Sequence, residues 1–223
     1  MVDFSPNSGT IKSVLQLHAH HRAQTERVDT LEKDIINITS WDIEGLTEAG
    51  FEGFVPIGEL MKDFSQIPFW EGVFMVLNTS GEPEFLETGT GGIFLNYDPN
   101  EDVEVLKEKW IPEASVIFIG STDLFRSNHA LVDAIKWFVT FGQGIGTHNL
   151  RGRQIWQIKH SKELLICWRR VREGDPEEIK EDLIDDFFDT YEQLPFANVG
   201  ETEPFCFFTN KDIVYLKAAP VVS

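Results

Sequence analysis

Gly72-Val73-Phe74-Met75-Val76-Leu77 and Ser115-Val116-Ile117-Phe118-Ile119-Gly120-Ser121 decide how this chain is read. Each is an uncharged run, rich in β-branched and aromatic residues, with the length of a buried strand. A glycine-rich turn at Gly89, Gly91 and Gly92 and a stop at Trp110-Ile111-Pro112 separate them. A helical pattern follows the second run. Leu131, Ala134, Ile135 and Phe138 fall at i, i+3, i+4 and i+7, which predicts an amphipathic helix over 131–141 that ends at Gly142 and Gly144. Gln154 to Ile158 and Leu164 to Trp168 read as two further strands, joined as a hairpin across His160-Ser161-Lys162.

Working outward, Gly50-Phe51-Glu52-Gly53-Phe54-Val55-Pro56 breaks regular structure before the first run. Residues 10–36 carry a helical pattern (Val14, Leu17, His21, Val28, Leu31, Ile35). Pro176 to Tyr191 reads as a helix capped by Asp175 or Gly174. Ile179, Leu183, Ile184 and Phe187 form its buried stripe, and Glu177, Glu178, Glu181, Asp182, Asp185, Asp186 and Asp189 lie away from it. Phe205–Phe208 and Ile213–Leu216 suggest a closing hairpin. The expected organisation is a helical extension over 1–44, one domain over 45–199 and a tail over 200–223.

Composition sets bounds. The chain has 223 residues, 42% of them hydrophobic, with six Trp and eighteen Phe, enough for a packed core. Its formal charge of −18 opposes general affinity for phosphate backbones. Nucleic-acid binding then requires a local basic patch, and Arg151, Arg153, Arg169, Arg170 and Arg172 are the candidates. Cys167 and Cys206 share no metal-ligand spacing, as expected of two free thiols in a reducing compartment. The first nine residues show no secretory pattern and no apolar run has the length of a membrane span, so a cytoplasmic protein without membrane contact is expected.

Two chemistries fail on context. Leu17-His18-Ala19-His20-His21 contains the H-x-H of some metal hydrolases, but only His129, His148 and His160 remain to complete such a site, and the surrounding pattern is helical. Gly142-x-Gly144-x-Gly146 follows a helix where a dinucleotide cradle joins a strand to one.

Over residues 45–199 a series of short motifs resembles the GIY-YIG nuclease superfamily, in particular a bacterial branch of it. Gly72-Val73-Phe74 stands where that family writes G-I-Y, and Phe118-Ile119-Gly120 where it writes Y-I-G. Gly50-Phe51-Glu52-Gly53-Phe54, Gly91-Gly92-Ile93-Phe94, Phe141-Gly142-Gln143-Gly144, Gly152 to Ile158 and Pro195-Phe196-Ala197-Asn198 follow the same branch in order. The resemblance implies an α+β fold with a small central sheet flanked by helices. It implies metal-dependent phosphodiester cleavage in repair, restriction or defence, with Mg2+ as cofactor if the site is active.

The family's active-site positions are mostly substituted. The motif tyrosines are Phe74 and Phe118, the lysine position is Ser121, the phosphate-steadying arginine is Ala134, and the tyrosine four residues on is Phe138. The metal-binding glutamate falls at Lys180, with Glu181 adjacent as a metal ligand only if the register slips by one, and Asn198 is kept. Phe for Tyr keeps the ring and deletes the hydroxyl. The resemblance therefore implies a degenerate site, with no cofactor, that acts by binding. The partner would be a protein docked on the acidic helix 175–192 or, more weakly, DNA at Arg151 and Arg153. The alternative is a divergent Mg2+-dependent DNA endonuclease with a shifted site drawn from Glu181, Asp185, Arg126, His129 or His148. A subunit of a restriction or anti-phage system fits either chemistry.

Overall fold

The computed structural model describes residues 34–93, 98–122, 130–146 and 151–198. The chain divides between Lys33 and Asp34, and every described residue belongs to the second unit. The closing hairpin, almost all of the 10–36 helix, the H-x-H segment and Cys206 lie outside the described residues. Residues 34–36 are described and are not helical.

In chain order the elements are α1 (Ile43–Glu48), β1 (Glu52–Pro56), the single turn α2 (Ile57–Leu60), β2 (Gly72–Leu77), α3 (Val103–Lys109), β3 (Val116–Ser121), α4 (Leu131–Phe141), β4 (Leu165–Arg170) and α5 (Pro176–Tyr191). Two 3-10 turns, Arg153–Gln157 and Ser161–Glu163, lie between α4 and β4. The four strands form one sheet in the order β1-β4-β2-β3, antiparallel throughout. All six residues of β2 are buried, as its uncharged sequence anticipates for a central strand.

Alternation along β2 builds the core on both faces of the sheet. Phe74 and Val76 join Phe118, Trp168 and the apolar stripe of α4 (Leu131, Ala134, Ile135, Phe138) in one cluster. Val73, Met75 and Leu77 join Ile119, Cys167 and the stripe of α5 (Ile179, Leu183, Ile184, Phe187) in the other, together with Trp41 and Leu46. The result is an α+β architecture, a four-stranded sheet between helices. α5 begins as its sequence anticipates: the Asp175 carboxylate accepts the Glu177 N–H at 2.9 Å, and Pro176 sits in the first turn. None of the described helices is long and apolar enough to cross a membrane.

Two expectations are corrected. Gln154–Ile158 is not a strand and forms no hairpin with β4. Residues 153–157 form a 3-10 turn, with the Ile158 N–H donating to the Ile155 carbonyl at 3.0 Å. Its glutamines are buried as thoroughly as Ile155 and Trp156, because Gln154 donates to Glu101 and Gln157 to the carbonyls of Leu86 and Glu101. Those side-chain bonds hold the segment against the 86–101 loop. Conversely, Glu52–Pro56 is a strand despite its glycine and proline. It lies at the sheet edge, where such residues are tolerated, and pairs with β4 through a bulge between Gly53 and Val55.

Candidate functional site

Phe74 of β2, Phe118 and Ser121 of β3, Ala134 and Phe138 of α4, Lys180 of α5, and Arg151 ahead of the first 3-10 turn surround one small cavity of about 30 Å³, shared with Gly120, Trp137 and Phe141. That is room for roughly two waters. The three phenylalanines that the resemblance aligns with tyrosines, Phe74, Phe118 and Phe138, form one aromatic group. Phe118 stacks on Phe138 with ring centroids 5.5 Å apart and planes within 7°. Phe74 is tilted against both, at 5.9 and 6.0 Å. Gly120 lets this happen, because a Cβ there would stand 2.5 Å from Cζ of Phe74.

The polar side of the cavity is a network centred on Glu177. Its carboxylate accepts from Lys180 Nζ at 2.8 Å, Arg151 at 3.0 Å and the Ser121 hydroxyl at 2.5 Å. Lys180 also meets Glu181 at 3.0 Å. Lys180 is 1% exposed, whereas the Glu181 side chain is 49% exposed. Burial pushes the Glu177 carboxyl up, but the charges of Lys180 and Arg151, with hydrogen bonds from Lys180 and Ser121, outweigh it and bring it down to about 2. The carboxylate is therefore ionised under all ordinary conditions, and the two cations are matched by two anions.

Five of the six positions that the resemblance singled out line this cavity: Phe74, Phe118, Ser121, Ala134 and Phe138. Asn198 does not line the cavity. It is buried at the outer edge of β3, where its Oδ1 accepts the Ile119 N–H and its Nδ2 donates to the Ile119 carbonyl, both at 2.9 Å. Arg151 joins the cavity network. Arg153 is buried and paired with Glu101 at 2.7 Å. Arg126, His129 and His148 lie outside the described residues. Glu177 belongs to the site and not to the solvated face on which its position among the other acids suggested. Its i, i+3 relation to Lys180 is the sequence signal that identifies it.

A divalent cation does not fit this set of residues. Mg2+ takes oxygen ligands, among them a carboxylate. The carboxylate beside the cavity already accepts from two cations and a hydroxyl, and an ammonium stands in the cavity wall. Among the described residues no three His, Cys, Asp or Glu side chains are grouped to hold a metal ion.

No protein-family model, curated protein or solved structure matches this chain. Its site is therefore read from its own geometry: an aromatic plug on one side of a cavity, and a charge network centred on Glu177 on the other.

Proposed function

We propose that this chain is a GIY-YIG-like domain that has lost catalysis and works by binding. The observation that carries the reading is the position of Lys180. Where the resemblance puts a metal-binding glutamate, a buried ammonium lies against Glu177, and Glu181 faces outward. Phosphodiester hydrolysis needs a group to move a proton and positive charge aimed at the developing anion. Phe74, Phe118 and Phe138 have no proton to transfer, Ala134 has no charge, and Arg151 and Lys180 spend theirs on Glu177. Phenylalanine, alanine and lysine preserve packing here while removing each chemical role.

The test is incubation of the full chain with plasmid and single-stranded DNA in Mg2+ or Mn2+, beside the variants Glu181→Ala and Lys180→Glu. The wild type is expected to leave both substrates intact at high protein concentration. Metal-dependent cutting by the wild type that Glu181→Ala abolishes would overturn the reading and restore the divergent endonuclease.

A further inference from the structure

The described arginines divide sharply by partner. Arg151 and Arg153 are each paired with a glutamate. Arg169 and Arg170 at the end of β4, and Arg172 just beyond it, form no ion pair with a carboxylate among the described residues. Asp34 accepts the Arg172 backbone N–H with one carboxylate oxygen at 2.6 Å. Burial and the Arg172 charge both make the Arg169 guanidinium easier to deprotonate, with Asp34 opposing them. Arg169 and Arg172 therefore repel one another, with Asp34 as a partial counter-charge.

Beside them the chain exposes aromatic surface. Phe69 is 80% exposed and Trp70 38% exposed, directly before β2. The register pairs Gly72 with Arg170, and the Arg170 guanidinium sits 5.1 Å over the Trp70 ring. Apolar surface left in water forgoes the stabilisation of burial, so adjacent exposed aromatics are informative. Neither ring lines the cavity described above.

We propose that Phe69, Trp70 and Arg170 form a docking surface for single-stranded nucleic acid, with Arg169 and Arg172 adding positive charge at the same end of the sheet. Exposed rings, one of them with a guanidinium above it, offer stacking faces to unpaired bases, and the arginines attract the backbone. The charge of the rest of the chain confines such binding to this patch, because an anionic strand is repelled elsewhere. This deepens the binding reading above and relies on it only for the bound strand remaining uncut.

The experiment is fluorescence anisotropy of a labelled thymidine oligonucleotide with the full chain at about 50 mM and about 200 mM salt. The wild type is expected to bind, more weakly at the higher salt. Phe69→Ala and Trp70→Ala each weaken binding roughly tenfold. Arg170→Ala lowers the salt dependence by about one ion, and Arg170→Lys restores that slope without restoring full affinity. Phe69 is so exposed that its truncation leaves the fold intact. No binding by the wild type at the lower salt, or binding unchanged by these variants, overturns the proposal. Displacement of the oligonucleotide by an equal amount of polyglutamate overturns it in favour of an acidic peptide. Cleavage of a strand bound through the patch supports the surface and overturns the non-catalytic reading instead.

Discussion

Lys180 and Glu177, one turn apart on α5, meet at 2.8 Å beside the cavity, and the lysine is almost entirely withdrawn from solvent. The pair is asymmetric in what it tolerates. Replacing a buried charge by an apolar side chain of similar size costs less than leaving its partner uncompensated. Glu177 still has Arg151 if Lys180 is lost. Lys180→Met should therefore cost only about 1–2 kcal/mol. Lys180→Glu, which adds a third carboxylate beside Glu177 and Glu181, should cost about 3–5 kcal/mol and lower Tm on the order of 10 °C. Thermal and urea unfolding of the two variants check the difference; equal costs would show that the network is unimportant to the fold.

Acid should loosen the same cluster. The folded Glu177 carboxyl lies at about 2, below its ordinary value of 4.5. A lowered folded pKa stabilises the protein at pH above the unfolded value, and that contribution disappears as pH falls through the folded one. The window is thus roughly pH 4.5 down to 2. Because the Glu177 side chain is 35% exposed, solvent screening limits the effect to roughly 1–2 kcal/mol. Urea midpoints measured across this window should fall more steeply for the wild type than for Glu177→Gln, and parallel curves would refute the assignment.

Returning the hydroxyls should not return the chemistry. Phe118 and Phe74 are buried against each other and against Phe138. Phe118→Tyr places a hydroxyl at the edge of a closed aromatic group, at a cost of about 1–3 kcal/mol if it finds no partner. The Phe74→Tyr, Phe118→Tyr double variant should unfold at lower urea and remain unable to cut DNA in Mg2+. Cleavage by that variant would show that the rest of a catalytic site survives.

Asn198 should act as a clamp on the sheet. Its amide satisfies both backbone groups of Ile119, and the neighbouring Ala197 N–H donates to the Ile117 carbonyl at 2.8 Å, so this segment covers the free edge of β3. Asn198→Ala leaves an N–H and a carbonyl without partners, costing about 2–4 kcal/mol. Amide exchange at Ile119 is the direct measurement, expected to accelerate well beyond that of the central strand β2.

Much of this was legible in local pattern. The helices over 131–141 and 176–191 follow from apolar residues at helical spacing and their terminal Pro, Asp and Gly signals, and the runs at 72–77 and 116–121 are strands as their composition indicates. The failures share a cause. Gln154 to Ile158 has strand-like composition, but its glutamines satisfy Glu101 and a loop far along the chain, so a 3-10 turn wins. Glu177 looks like one acid among many until Arg151 and Ser121 arrive from other elements.

The sequence by itself determined that Phe74, Phe118, Ala134 and Phe138 carry no side-chain group that ionises or hydrogen-bonds, since residue identity is local information. Only the tertiary structure decided that these positions share one cavity, that Lys180 and not Glu181 turns into it, and that Arg153 is buried while Arg170 is exposed above the Trp70 ring. Those outcomes depend on the helix rotation and strand register that bury the most apolar surface, and both are set by partners distant in the chain.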